Sequence, residues 1–211
     1  MTDKRSELEL SGYVLAGGAS SRFGQDKALV EIGATPMLAR MSKLLKRVMK
    51  SVQLIGSPEK YSQFGVEAIP DRWPGEGPLG GIITALLNTA KNNPQHEWNL
   101  ILSCDMPFLS VEWLGYLAER ATKSSAQAVY PQSAHGPEPL CACYRTDARP
   151  ALQQAFERGV RKVTEALKHV RTEVLDEADW KRFDSAGRLF WNMNTPADYE
   201  EARRILEAEQ I

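Results

Sequence analysis

Apolar and polar positions along the chain switch repeatedly between short unbroken apolar runs and a three-and-four spacing. The runs at Gly12–Ala16, Val52–Gly56, Glu67–Pro70 and Asn99–Ser103 predict strands, the first of them buried. Between them, Met37, Leu38, Met41, Leu44, Leu45 and Val48 repeat at helical spacing and predict an amphipathic helix over Pro36–Lys50. Its cations Arg40, Lys43, Lys46, Arg47 and Lys50 fall largely on the other side and read as a solvated face. Pro78 opens a second helix reaching about Ala90, and Ser110 caps a third that runs to about Lys123, with Glu112 in its first turn. Further on, strands are expected at Gln127–Pro131 and Leu140–Arg145, joined by the Gly136-Pro137 turn. Others follow at Thr172–Leu175 and Leu189–Met193. Helices are expected near Ala148–Arg158, Lys162–Lys168 and Pro196–Glu209. Alternation of this kind predicts an α/β fold, Rossmann-like, with a mostly parallel sheet flanked by helices.

At 211 residues the chain is long enough to bury a substantial core. No linker of Pro, Gly or Ser composition divides it, so one domain over 1–211 is expected. A net charge of −1 gives no electrostatic case for nucleic acid or an anionic membrane as partner. Met1–Glu9 is polar, and no apolar run approaches the roughly 20 residues that span a bilayer. A cytoplasmic protein is expected. Cys104, Cys141 and Cys143 form no disulfide framework. Cys141 and Cys143 should share one face of a strand as buried, inert thiols; a metal site there would have only His135 nearby to add.

The candidate chemistry begins where the first strand stops. Leu15-Ala16-Gly17-Gly18 leads into a small-residue loop ending in the cations Arg22 and Lys27. Glycines allow close backbone approach to an anion, and flanking cations supply the charge a polyphosphate needs. The loop is neither a Walker A sequence, since Gln25-Asp26 precede Lys27 and Ala28 has no hydroxyl, nor a G-x-G-x-x-G fingerprint. Ligands of open parallel sheets bind at the carboxyl ends of the strands. Asp71 and Asp105 follow predicted strands, and Asn192 and Asn194 end the last one. Asp105, directly after an apolar strand, suits Mg²⁺, which takes one or two carboxylates together with substrate phosphates. Asp71 could accept from a ribose hydroxyl or a base donor. Gly77-Pro78-Leu79-Gly80-Gly81 leaves a side-chain-free surface for a base or ribose, or serves helix–strand packing. His96, His135 and His169 fall outside these motifs, and no catalytic role is expected of them.

Taken together, these residues resemble the molybdenum cofactor guanylyltransferase family. The likeness is carried by Leu15-Ala16-Gly17-Gly18 with Arg22 and Asp26-Lys27, Gly77-Pro78-Leu79-Gly80-Gly81 and Cys104-Asp105-Met106-Pro107-Phe108-Leu109. Glu138-Pro139-Leu140-Cys141 and Asn192-Met193-Asn194-Thr195-Pro196 complete it. The resemblance implies a three-layer nucleotide-diphospho-sugar transferase fold and transfer of GMP from GTP to the phosphate of molybdenum-molybdopterin, with Mg²⁺ as cofactor. It implies GTP binding by Leu15, Ala16, Gly17, Gly18, Lys27, Asp71, Gly80 and Asp105. Arg22, Lys27 and Asp105 would be catalytic, Asp105 would hold the metal, and Asn192 and Asn194 would meet the acceptor. Residues of about 10–108 would then carry the nucleotide and 109–211 the acceptor. Transient contact with cofactor-biosynthesis proteins or molybdoenzyme chaperones is the implied protein partnership. The chain departs from the family at Ile55-Gly56-Ser57-Pro58, where an asparagine is often found near the base. A cytidylyltransferase on the same cofactor, another small-molecule phosphate nucleotidyltransferase, and a non-catalytic GTP-binding or cofactor-delivery module stay open as alternatives.

Overall fold

Two strands are apolar on both faces because both faces are covered. Every position of β1 (Leu10–Leu15) and of β6 (Trp98–Ser103) is buried. They pair in parallel at the centre of a sheet in a computed structural model that describes residues 9–17, 26–33 and 35–208. Outward on one side lie β4 (Ser51–Ile55) and β5 (Ala68–Ile69), both parallel to β1's direction. On the other side come β9 (Cys141–Arg145), β7 (Ala128–Ser133) and β10 (Thr172–Leu175). β9 runs antiparallel to both β6 and β7, and β10 is parallel to β7. Two reversals restore the direction, so β7 and β10 end at the same rim as β1 and β6. Gly17, Asp105 and the segment after β10 therefore share one edge of the sheet. A short strand β8 (Gly136–Pro137) folds back on β7, and β2 (Glu31–Ile32) pairs with β3 (Thr35–Pro36) apart from the main sheet.

Period-two alternation divides the strand side chains between two cores. Val14, Leu100, Leu102, Cys141 and Cys143 face one core, packed by Leu38, Met41 and Leu45 of α1 (Met37–Lys46) and by Trp113 and Leu117 of α4 (Val111–Lys123). Ala202 and Leu206 of α8 (Pro196–Ala208) join them. Tyr13, Leu15, Ile101, Ala142 and Tyr144 face the other core, under Leu79, Ile82, Ile83 and Leu86 of α3 (Pro78–Asn92) and Leu152 and Phe156 of α5 (Arg149–Glu157). The result is the expected three layers. Both thiols of the Cys141-x-Cys143 pair lie on one face, as their spacing requires. The Trp113 indole donates to Cys141 Sγ at 3.4 Å, and burial pushes that thiol up to about 12. They behave as small apolar groups.

Departures from the pattern are local. The first helix ends at Lys46, four residues early, and Val48 and Met49 are buried in the turn that follows. The segment expected as one helix near Lys162–Lys168 is a single α turn, α6 (Val163–Ala166), continued by a 3₁₀ turn, Leu167–His169. Short helices α2 (Pro58–Tyr61) and α7 (Glu177–Trp180) were not signalled by periodicity. The strand expected at Leu189–Met193 is absent; the segment is a turn and irregular chain. Leu189, Phe190 and Met193 are buried all the same, and the backbone N–H groups of Arg188 and Leu189 donate to the buried Asp184 carboxylate at 2.7 and 3.1 Å rather than to a neighbouring strand.

Candidate active site

The end of β1 is drawn tightly to its neighbour. The Ala16 N–H donates to the Ile55 carbonyl at 2.8 Å, and a Cβ at Gly56 would stand 2.2 Å from the Ala16 carbonyl oxygen. That approach accounts for glycine at Gly56, where the family resemblance expected an asparagine nearby. Leu15 and Ala16 are buried and Gly17, at φ +143°, is exposed at the rim. Gly18 and Arg22 lie outside the described residues.

The chain re-enters at Asp26, which caps a 3₁₀ turn over Lys27–Leu29 by accepting from the Ala28 N–H at 3.1 Å. The buried Tyr61 hydroxyl donates to the other Asp26 oxygen at 2.6 Å. These two bonds fix the base of Lys27. Its ammonium then reaches two other motifs. Nζ lies 3.8 Å from Asp105 Oδ2 and donates to Asn194 Oδ1 at 3.3 Å. Asp105 itself accepts from the Ser103 hydroxyl, and its backbone carbonyl accepts from the Met193 N–H at 2.9 Å. Three segments far apart in sequence therefore meet at the rim: Asp26-Lys27, Asp105, and Asn192-Met193-Asn194. The last is irregular chain rather than a strand end.

Asn194 and Thr195 are held by α8. Their N–H groups both donate to the Asp198 carboxylate at 2.8 Å, and the Asp198 N–H donates back to the Thr195 hydroxyl at 3.2 Å. This reciprocal pair was readable in Thr195-x-x-Asp198, a capping-box spacing. Tyr61 and Ser103 carry no comparable local signal. Each acts through a partner supplied by another segment or by the strand end.

Asp71 stands after β5 and is anchored. Its Oδ1 accepts from the Trp73 N–H at 3.0 Å and from the Thr84 hydroxyl at 3.2 Å, which also bonds the Gly80 carbonyl at 2.9 Å. Gly80 and Gly81 are buried. A Cβ at Gly80 would stand 3.2 Å from Trp73 Cβ, and one at Gly81 3.3 Å from a Leu15 methyl. Packing against the Trp73 bend explains the small residue at Gly80, and helix–strand packing against Leu15 and Ile55 explains the one at Gly81.

Beyond Asn192 the same rim opens into a cavity of about 510 Å³ between the β7–β8 turn and the chain after β10. Ser133, His135, Trp180, Asp184, Phe190 and Trp191 are among its walls. Its size lies within the range of small-molecule sites. The Trp180 indole donates to the Gln132 carbonyl at 3.0 Å, and Trp191 stacks on Phe108 with ring centroids 5.5 Å apart. The aromatic walls are thus fixed from behind.

Among the described residues no cluster of three or more His, Cys, Asp or Glu side chains could hold a metal. A divalent ion at Asp105 would take one protein carboxylate and complete its shell from substrate phosphates and water, the usual arrangement for Mg²⁺. The donor set fits that ion and does not fit zinc. No helix among the described residues is long and apolar enough to cross a membrane.

A family model described as the MobA-like NTP transferase domain matches residues 12–172. A probable molybdenum cofactor guanylyltransferase of Pelotomaculum thermopropionicum is 32% identical over 201 residues, covering 95% of each chain. One of the same description from Deinococcus radiodurans is 35% identical over 196 residues, covering 92% of this chain and 94% of its own. The crystal structure of molybdopterin-guanine dinucleotide biosynthesis protein A from Archaeoglobus fulgidus superposes with a TM-score of 0.80 at 26% identity. It covers 94% of this chain and 99% of that one. The fold is that of the nucleotide-diphospho-sugar transferases.

Proposed function

The chain belongs to the MobA-like NTP transferase family, and from that premise we propose that it transfers GMP from GTP to the terminal phosphate of molybdenum-molybdopterin, releasing pyrophosphate. One observation carries the reading: Lys27 stands between Asp105 and Asn194, 3.8 Å from one and 3.3 Å from the other. A cation shared by a carboxylate and an amide at a strand-end rim suits a site where two phosphate-bearing substrates meet. The likeness to relatives described as guanylyltransferases supports the choice of nucleotide and acceptor.

In this reading a phosphate oxygen of the acceptor attacks the α-phosphorus of GTP. A new P–O bond forms as the bond to pyrophosphate breaks. The attacking phosphate is already anionic at neutral pH, so the site needs no strong base; its task is alignment of two anions against their repulsion. Lys27, with Arg22, neutralises charge growing on the leaving group. Leu15, Ala16, Gly17 and Gly18 offer backbone to the nucleotide, and Asp71, anchored by Thr84 to Gly80, offers a carboxylate to ribose or base. Asn192 and Asn194 meet the acceptor, whose flat ring system suits the aromatic cavity at Trp180, Phe190 and Trp191. Asp105 would hold Mg²⁺, which supplies charge neutralisation and orientation of the pyrophosphate oxygens. The reading implies a cytoplasmic enzyme that hands its product on through transient contact with cofactor-biosynthesis proteins or molybdoenzyme chaperones.

Pyrophosphate release measured with each nucleoside triphosphate, with and without molybdopterin, tests the proposal. Release with GTP alone among the triphosphates, and only with acceptor present, is expected. Preference for CTP would make the chain a cytidylyltransferase. No release with any acceptor would point to a nucleotide-binding or cofactor-delivery module.

A further inference from the structure

Ala16-Gly17 and Asp26-Lys27, the described residues on either side of 18–25, are tied to one short segment, the end of β4 with α2. On the first side, the Ala16 N–H donates to the Ile55 carbonyl at 2.8 Å, and the next residue, Gly56, lies against the Ala16 carbonyl. On the second, the Tyr61 hydroxyl at the end of α2 donates to Asp26 Oδ2 at 2.6 Å. Gly56 serves both contacts. A Cβ there would stand 2.2 Å from the Ala16 carbonyl oxygen and also 2.8 and 3.0 Å from two carbons of the Tyr61 ring. Glycine at this position therefore admits the strand end and the ring together.

Tyr61 is rigidly placed. It is 2% exposed and packs in the core that holds Leu54 and Val66. Burial, and after it the Asp26 carboxylate, raise the phenol above its usual value, so the hydroxyl stays protonated and donates at neutral pH. Asp26 uses one oxygen for this bond and the other for the Ala28 N–H, which closes the turn bearing Lys27. Lys60 Nζ also approaches Asp26 Oδ2, at 3.9 Å, but it is 62% exposed, and such a pair contributes little. The turn is thus anchored to the core through Tyr61. Lys27 leaves that turn on a flexible four-carbon stem, and its ammonium meets Asp105 and Asn194 at 3.8 and 3.3 Å. Where the stem begins limits where the charge can go, and small misplacements of a catalytic group are costly.

We propose that Tyr61 is a positioning residue that aims Lys27 through Asp26, and that with Gly56 it makes the β4–α2 segment a brace for both sides of the phosphate-binding stretch. This role rests on the reading of Lys27 as the cation that neutralises the leaving group.

Steady-state kinetics of Tyr61→Phe, which keeps the ring and removes only the hydroxyl, form the test. Its kcat should fall about tenfold, as for loss of one hydrogen bond to a charged group. In a Lys27→Ala background the same substitution should change kcat by less than about twofold, because the group it aims is gone. Asp26→Ala, on a turn rather than in the core, should lose at least as much as Tyr61→Phe, and again nothing further in the Lys27→Ala background. That second pair decides the matter even where Tyr61→Phe does not fold. Losses that multiply with Lys27→Ala, or a Tyr61→Phe kcat within about twofold of wild type, would overturn the proposal. A wild type that releases no pyrophosphate overturns the parent reading instead. The brace is then read on the free protein by crystallography: in Tyr61→Phe the Lys27 ammonium should leave Asn194, and an unchanged contact would refute it.

Discussion

The two sides of the site are held by different means. On the side proposed for the nucleotide, β1, β4 and β6 form parallel ladders whose ends set the positions of Ala16 and Asp105, and the Ala16 N–H is itself bonded to the next strand. On the side proposed for the acceptor, Asn192 to Thr195 follow no strand at all. They are pinned one group at a time: Met193 to the Asp105 carbonyl, Asn194 and Thr195 to Asp198, and Asn192 to Phe190. A ladder distributes its constraint over many bonds, whereas a clamp of side chains concentrates it in a few. The nucleotide side should therefore fail through loss of chemistry, and the acceptor side through loss of position.

The largest expected effects lie where the two sides touch. Asp105→Asn should abolish Mg²⁺-dependent pyrophosphate release, because no second acidic cluster among the described residues replaces its carboxylate. Activity of that variant at ordinary Mg²⁺ would mean that another group holds the ion. Lys27→Ala should lower kcat by roughly 10²–10³, the scale for losing one charge-stabilising donor. Since Lys27 also bonds Asn194, the acceptor KM should rise with it, and a near-normal kcat at saturating GTP would sink its assignment.

A smaller effect separates the sides. Trp191→Ala removes one aromatic wall of the cavity and should raise the acceptor KM by about twofold to twelvefold, from ~0.5–1.5 kcal/mol for a ring contact. The GTP KM should not move. An equal change in both constants would show that the Phe108 stack, and not the cavity wall, is what the variant disturbs.

The same contrast decides what could be read from sequence. Strands β1, β4 and β6 and helices α3 and α4 follow from apolar period and caps, because propensity, pattern and burial agree there. Asp105 was visible as a polar residue at the end of such an element, and Lys27 as the cation that closes the small-residue loop in the sequence. The Leu189–Met193 segment shows the limit. Leu189, Phe190 and Met193 are buried, and that is all their apolarity reports; hydrogen bonds to Asp184 and aromatic packing on Trp113 and Trp180 replace a ladder. The direction of β9 was equally hidden, since period two is the same for either orientation. Tyr61 escaped because its partner, Asp26, is 35 residues away. The Thr195-x-x-Asp198 spacing was local and was readable.

That local clamp also yields the mildest test of the comparison. Burial works to raise the Asp198 carboxyl, but the N–H groups of Thr195 and Asn194, with Lys27 nearby, outweigh it and hold it below the usual Asp value. A depressed folded value favours the charged form, so the clamp's stabilisation is complete above the unfolded value near pH 4. It is lost as pH falls through the lower folded value. Asp198→Asn should remove about 1 kcal/mol or less, in the range of helix-capping contributions. The difference in stability between wild type and variant, followed by denaturant titration, should be constant above pH 5 and shrink as the pH drops below 4. A difference that persists unchanged into acid would show that Asp198 shapes the Asn194 loop by packing rather than by charge. The acceptor side would then depend less on side-chain clamping than its geometry implies.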